Sequence, residues 1–427
     1  MFPSRLPFAC ILALLLLPAI HAADSSGTIS IKNSGVTLTD AGKTAADKTE
    51  IVAIPAGTET AGQPAAPVTT ESAKVEIGAI QAAAAPAEPE KPAIDSRRFL
   101  FASRPVDFTE PNYAVSIGRL VSAFEEKAQH PVKPGEKGKV ALKIYTSSGP
   151  GIATPRSLTR AVIKELEKRG FTRDNIYLVD LTEKRIREAG YLPRLKTANE
   201  NFEGCPVLAL DSGKYYNPKW FYENPLPSTE VVMRVDDLNA PITMNDKHSY
   251  LPVPLLFEVD FWINLPVAMD SPALGVSAAL GNATIWNISN QRRFLDNPGN
   301  AQKAAVEIAA IPEFKNKLLF NIVTLERYQY IGGPRFDANY CISENRLWLS
   351  ANPLILDYLL MQRMNNARAK HGFPLIAPEP TMFIMGNTPP ISLGSCVPSQ
   401  IELMIVDPSQ KKSSTVETAE EEVAVKP

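Results

Sequence analysis

The segment Ser147-Ser-Gly-Pro-Gly, followed by Thr154-Pro155, is the part of the sequence best suited to hold a ligand. Backbone N–H groups at a helix start lack partners, glycines let a ligand approach the main chain, and the helix dipole favours negative charge. A phosphate or carboxylate held by Lys143, Ser147, Ser148, Gly149, Gly151, Thr154 and Arg156 is one reading of this segment. A plain tight turn is the other. The spacing matches neither a P-loop nor a dinucleotide-binding glycine motif. Asp180, at the end of the following strand, suits a ribose hydroxyl, a metal or a helix cap.

Other familiar constellations are missing. His130, His248 and His371 lie in loop-like contexts, and none forms a His-Glu-x-x-His pair. Ser147, Ser148 and Ser392 have no identifiable base, and no Gly-x-Ser-x-Gly elbow occurs. Asp236, Asp237 and Asp246 are acidic enough to attract a cation but lack calcium-loop spacing, so no metal site is expected. Beyond Cys10, the cysteines are Cys205, Cys341 and Cys396, widely spaced and odd in number. One disulfide with a spare thiol and three free thiols are both open readings.

The elements that must position these residues follow from periodicity. Tyr113, Ile117, Leu120, Val121 and Phe124 make one face of a helix that closes before Pro131. A strand over 139–145, the glycine loop, a helix with Thr154 as N-cap and Pro155 as first residue, and a strand over 175–180 form a β-α-β unit. Downstream, strands are expected over 206–210, 230–235, 258–264, 318–323, 346–350 and 400–406. Helices are expected over 273–288 and 300–311, and from Asn352-Pro353 onward. Such alternation predicts a three-layer α/β sandwich around a mostly parallel mixed sheet, one large domain over residues 96–408.

Four places in this span resemble a bacterial and archaeal family known as domain of unknown function 362. They are Lys143 with Gly149-Pro-Gly and Thr154-Pro155; Asp260-Phe-Trp-Ile-Asn-Leu-Pro-Val267; Gly333-Pro334; and Ser350-Ala-Asn-Pro-Leu-Ile-Leu-Asp357. The family shows a Lys with a nearby His after the Leu-Pro strand, then a Lys-Asn pair; here Met269 and Gly281 stand at the lysine positions, and Asn282 remains. Thr324 replaces the family's acid after the later strand, while Asp357 matches. A methionine and a glycine supply neither charge nor an exchangeable side-chain proton. The resemblance therefore implies a binding or scaffold protein that has lost the family's polar constellation. Its rival is an oxidoreductase or isomerase acting on a small anion through Lys143, Asp180, Asn282 and Asp357. A fainter likeness to nickel-pincer lactate racemases carries no residue over, and the cofactor stays open.

The ends of the chain speak of address. Residues 1–23 read as a secretory signal peptide: one arginine, a run of about 15 largely apolar residues, then small residues at Ala22 and Ala23. Residues 24–95, rich in Ala, Pro and Thr, read as a disordered tether, and residues 409–427 as a charged tail. A periplasmic or secreted product without a transmembrane segment is expected. Lys plus Arg number 44 against 46 Asp plus Glu, a formal charge of -2 without strong clustering, which argues against nucleic acid as partner.

Overall fold

The structure, a computed structural model, describes residues 94–197, 200–224 and 247–407. The signal peptide, nearly all of the tether, the tail, the strand expected over 230–235 and the acids Asp236, Asp237 and Asp246 lie outside the described residues. In chain order the first strands are β1 Phe99–Ser103, β2 Val140–Lys143, β3 Ile176–Asp180, β4 Asn201–Phe202, β5 Cys205–Ala209, β6 Tyr216–Glu223 and β7 His248–Pro252. Then come β8 Phe261–Asn264, β9 Met269–Ser271, β10 Gly275–Ser277, β11 Leu318–Thr324, β12 Tyr328–Gln329, β13 Cys341–Ile342, β14 Leu347–Ser350 and β15 Glu402–Ile405. The helices are α1 Glu110–Ala128, α2 Arg156–Lys168, α3 Glu183–Glu188, α4 Ala279–Ala283, α5 Arg292–Leu295, α6 Pro298–Ala310, α7 Pro312–Lys315, α8 Pro353–Lys370 and α9 Met382–Asn387.

Nine strands form one mixed sheet in the order β15-β1-β14-β11-β8-β2-β3-β5-β4. The five from β11 to β5 are mutually parallel, whereas β14 runs antiparallel to both of its neighbours. Side-chain alternation splits the core between the two faces. Leu142, Leu178, Ile263, Ile322 and Leu349 pack with α1 and α2, while Ala141, Trp262, Val323 and Trp348 pack with α4, α6 and α8. That is an α/β sandwich with helices on both sides of a mostly parallel sheet. The four strands β10-β9-β12-β13 and the pair β6-β7 form separate small sheets.

Most helix boundaries have local causes. Tyr113, Ile117, Leu120, Val121 and Phe124 are buried on α1, which ends at Gln129 in the left-handed region. Asn352 caps α8 by accepting from the N–H of Leu354 and Ile355 at 2.9 and 3.4 Å, with Pro353 in the first turn, as the sequence implies. Two expectations fail. The helix expected over 273–288 is instead β10, the single turn α4 and a 3-10 turn at Ile285–Asn287. That stretch is buried almost throughout, so its apolar residues carry no one-sided period, and Gly275 at φ +77° with Ala278 at φ -145°, ψ -113° breaks any helix. The N-cap of α2 is Pro155, not Thr154, whose hydroxyl is engaged elsewhere.

Replacing Asn352 with Ala removes the cap of the longest helix on its face and should lower stability by about 1–2 kcal/mol. Asn352→Ser should recover most of it, as read from urea midpoints at constant m-value.

Candidate functional site

Lys143 ends β2 and is fully buried. An ammonium has three N–H donors, and here all three are used. Nζ donates to Asp180 Oδ1 at 2.7 Å, to Asn282 Oδ1 at 2.9 Å and to the carbonyl of Ile144 at 2.6 Å. Asp180, also buried, accepts at its other oxygen from the Thr146 N–H and hydroxyl at 2.8 and 2.6 Å. Burial pulls the Lys143 amine below its ordinary value, and the charge of Asp180 opposes this.

The sheet extends this pair into a row. Lys143, Asn264, Asn321 and Ser350 stand opposite one another in register across β2, β8, β11 and β14. Asn282 Nδ2 donates to Asn264 Oδ1, Asn264 Nδ2 donates to Asn321 Oδ1 and to the Ala279 carbonyl, all at 2.8 Å, and Asn321 Nδ2 donates to the Ser350 carbonyl at 3.0 Å. α4 is thereby fastened onto the sheet. Asp357, from α8, secures its other end by accepting from the Ala279 and Leu280 N–H at 2.6 and 3.1 Å. Lys143, Asp180 and Asn282 thus meet directly, while Asp357 lies one helical turn away and joins the row only through Ala279. All four side chains are buried.

Met269 and Gly281 are both closely surrounded. Met269 is buried, and its Sδ accepts from the hydroxyls of Tyr145 at 3.7 Å and Ser148 at 3.6 Å. A Cβ on Gly281 would come within 2.9 Å of Ser277 Oγ and 3.1 Å of Leu274 Cδ1, so those side-chain ends would have to give way.

The glycine loop is turned mostly inward. The Gly149 N–H donates to the Thr146 carbonyl at 2.8 Å, and Gly149 has φ +85°, a left-handed conformation suited to glycine. Gly151 lies under the Phe336 ring, whose carbons would meet its Cβ at 2.2 Å. Thr154 Oγ1 accepts from the Tyr145 N–H at 2.8 Å and donates to the Leu265 carbonyl at 2.6 Å. Ser147 Oγ is buried without a partner among the described residues. Of the anion candidates, Arg156 alone combines charge with exposure, its guanidinium passing 3.0 Å from a Cβ built on Gly190.

Arg156 opens onto a cleft of about 640 Å³ formed by residues 150–157, the end of α3 and the loops after β8 and β11. Five arginines line it, Arg156, Arg160, Arg187, Arg194 and Arg327, against Glu188 and Glu326. Arg160 pairs with Glu203 and Arg187 with Glu183 and Glu200, while Arg327 donates to the Gly151 carbonyl at 2.7 Å. Among the described residues Arg156 and Arg194 have no ion pair. The sequence pattern singled out neither Arg187, Arg194, Arg327 and Glu326 nor the asparagines of the row. A larger cleft, about 730 Å³, opens at the amino ends of β8 and β11, but its Arg97 and Lys315 are held by Asp95 and by the carbonyls of Ile391 and Ser392.

The remaining candidates lie apart. His130 and His371 are exposed, the latter stacked on Tyr330, and His248 stacks on Phe221. Cys205, Cys341 and Cys396 are free thiols. Among the described residues no three His, Cys, Asp or Glu gather as metal ligands, and no helix is long and apolar enough to cross a membrane. Comparison of the chain with protein-family models, with curated proteins and with solved structures finds no match in any of the three.

Lys143→Met should cost roughly 3–5 kcal/mol in urea unfolding, because it leaves Asp180 charged and buried, and adding Asp180→Asn should restore a substantial part. Burial raises the Asp357 carboxyl to about 7 against the opposing N–H bonds of Leu280 and Ala279. Between about pH 4 and 7 the folded chain therefore holds a proton that the unfolded chain releases. Stability should fall by roughly 2–4 kcal/mol as pH rises through that window and level off above it. Asp357→Asn should remove this slope from a pH series of urea midpoints.

Proposed function

We propose that the protein is an exported binding protein, descended from the domain of unknown function 362 family, that holds a small anionic ligand in the arginine-lined cleft and catalyses nothing through Lys143. One observation carries this reading. Lys143, Asp180 and Asn282 satisfy one another at zero or near-zero exposure, whereas Arg156 and Arg194 face an open cleft with no ion pair among the described residues. A general acid or base must reach its substrate, and a buried, saturated ammonium does not.

The place of the cleft also supports the reading. In open α/β sheets, ligands bind outside the carboxyl ends of the strands where the chain reverses direction across the sheet. Here β3 and β5 follow β2 on one side, and β8 and β11 return on the other, so the reversal falls between β2 and β8. The cleft is built from the segments that follow β2, β8 and β11. Guanidinium groups match phosphate and carboxylate with paired, charge-assisted hydrogen bonds, each typically worth about 1.5–3 kcal/mol.

Titration calorimetry of the purified full chain with inorganic phosphate and with propionate should show saturable heat. Arg156→Ala combined with Arg194→Ala should weaken binding by at least about tenfold at unchanged thermal stability. Absence of binding to both anions in low salt would overturn the proposal.

A further inference from the structure

A carboxylate is fixed in this cleft where a simple anion receptor would exclude one. Glu326 stands two residues beyond the end of β11, half-buried, and lines the cleft together with the arginines. It makes no ion pair among the described residues. Its Oε2 accepts from the Tyr113 hydroxyl at 2.7 Å, and its own N–H donates to Thr324 Oγ1 at 3.1 Å. Tyr113 Oη and Thr324 Oγ1 lie 2.7 Å apart.

Burial raises the Glu326 carboxyl above its ordinary value, opposed by the Tyr113 hydrogen bond and the Arg327 charge, and its ionised form fixes the direction of these bonds. An ionised carboxylate only accepts, so Tyr113 donates to Glu326 and Thr324 donates to Tyr113. Tyr113 is fully buried, and burial with the nearby Glu326 charge holds its phenol protonated far above the ordinary range. Glu326 is therefore positioned from behind by a donor that does not titrate away. Its second oxygen, Oε1, has no partner among the described residues and is not among the buried atoms left without one. A fixed acceptor in a cleft that also holds two guanidinium groups with no ion pair among the described residues weakens the hold on bare phosphate but suits a ligand hydroxyl.

We propose that the ligand of this cleft carries a hydroxyl next to its anionic group, the arginines taking the anion and Glu326 Oε1 accepting from the hydroxyl. The chemical class is a hydroxylated small anion, a polyol phosphate or a hydroxycarboxylate. This rests on the anion cleft proposed above.

Matched probes test it in the wild-type full chain. Calorimetry compares glycerol 3-phosphate with n-propyl phosphate, and glycerate with propionate, each pair differing only in hydroxyls. The hydroxylated member should bind about 10- to 100-fold more tightly, the effect of one hydrogen bond to a charged group. The pair with the larger ratio identifies the anion as phosphate or carboxylate. In Glu326→Gln, whose amide oxygen would accept the Tyr113 hydrogen bond and turn NH₂ toward the cleft, the ratio should fall to within about threefold. Inorganic phosphate should bind that variant more tightly, because a repelling charge is gone. If the plain anions bind and both ratios are near one, the hydroxyl reading fails and the anion cleft stands. If no anion binds, the cleft reading fails and takes this inference with it.

Discussion

The carboxyl-terminal half of the sheet is organised around one buried ammonium. Placing Lys143 in the interior is costly by itself, and attraction to Asp180 offsets that cost only when every remaining donor and acceptor is also satisfied. Each partner therefore imposes a position on a different element. Asp180 fixes the end of β3, the Thr146 N–H and hydroxyl fix the first residues of the glycine loop, and Asn282 fixes α4. The asparagines continue the constraint, since Asn264 cannot serve Asn282 and Asn321 together unless β8 and β11 keep their register. Removing the ammonium would leave a chain of half-satisfied polar groups rather than one missing contact.

This constraint gives the methionine at position 269 and the glycine at position 281 a physical meaning. With Lys143 saturated by Asp180 and Asn282, a second lysine at position 281 would bring a like charge toward a filled site and a side chain into contact with Ser277 and Leu274. Met269 closes the loop side with a soft thioether that accepts weakly from Tyr145 and Ser148 and adds no charge. A lysine there would meet no carboxylate among these contacts. The polar row, the methionine and the glycine form one consistent set, and its product is a rigid closed floor.

Legibility from sequence followed the range of the interactions. The β-α-β unit over 139–180 was readable because its period, loop and helix face are local, and Asn352-Pro353 announced α8 for the same reason. The residues 273–288 were misread because burial on every side erases the period by which helix and strand are told apart. Lys143, Asp180 and Asn282 were each marked as candidates, yet nothing local revealed that they satisfy one another. Asn264 and Asn321 lay within expected strands, but cross-strand register is a tertiary property. Glu326 was hidden for a related reason: Tyr113, 213 residues earlier, reads as a core residue of α1 and shows its hydroxyl's role only when α1 meets the end of β11.

The closed floor also decides where an anion can act. The hydroxyl of Thr154, bonded to the Leu265 carbonyl, ties the loops after β2 and β8 together near the point where the chain direction reverses. The cleft opens beside that tie, between the first turn of α2, the end of α3 and the loop after β11, where Arg327 holds the Gly151 carbonyl. An anion in that cleft gains little from Lys143, because Asp180 at 2.7 Å cancels most of its field and the pair acts outward as a dipole. Attraction must come from the arginines, whose charges face water and are screened within about 10 Å at ordinary ionic strength. Such a site discriminates poorly among anions by charge alone. Selectivity then depends on a group whose position is set by the fold, and at this end of the sheet Glu326, held by Tyr113 and Thr324, meets that requirement.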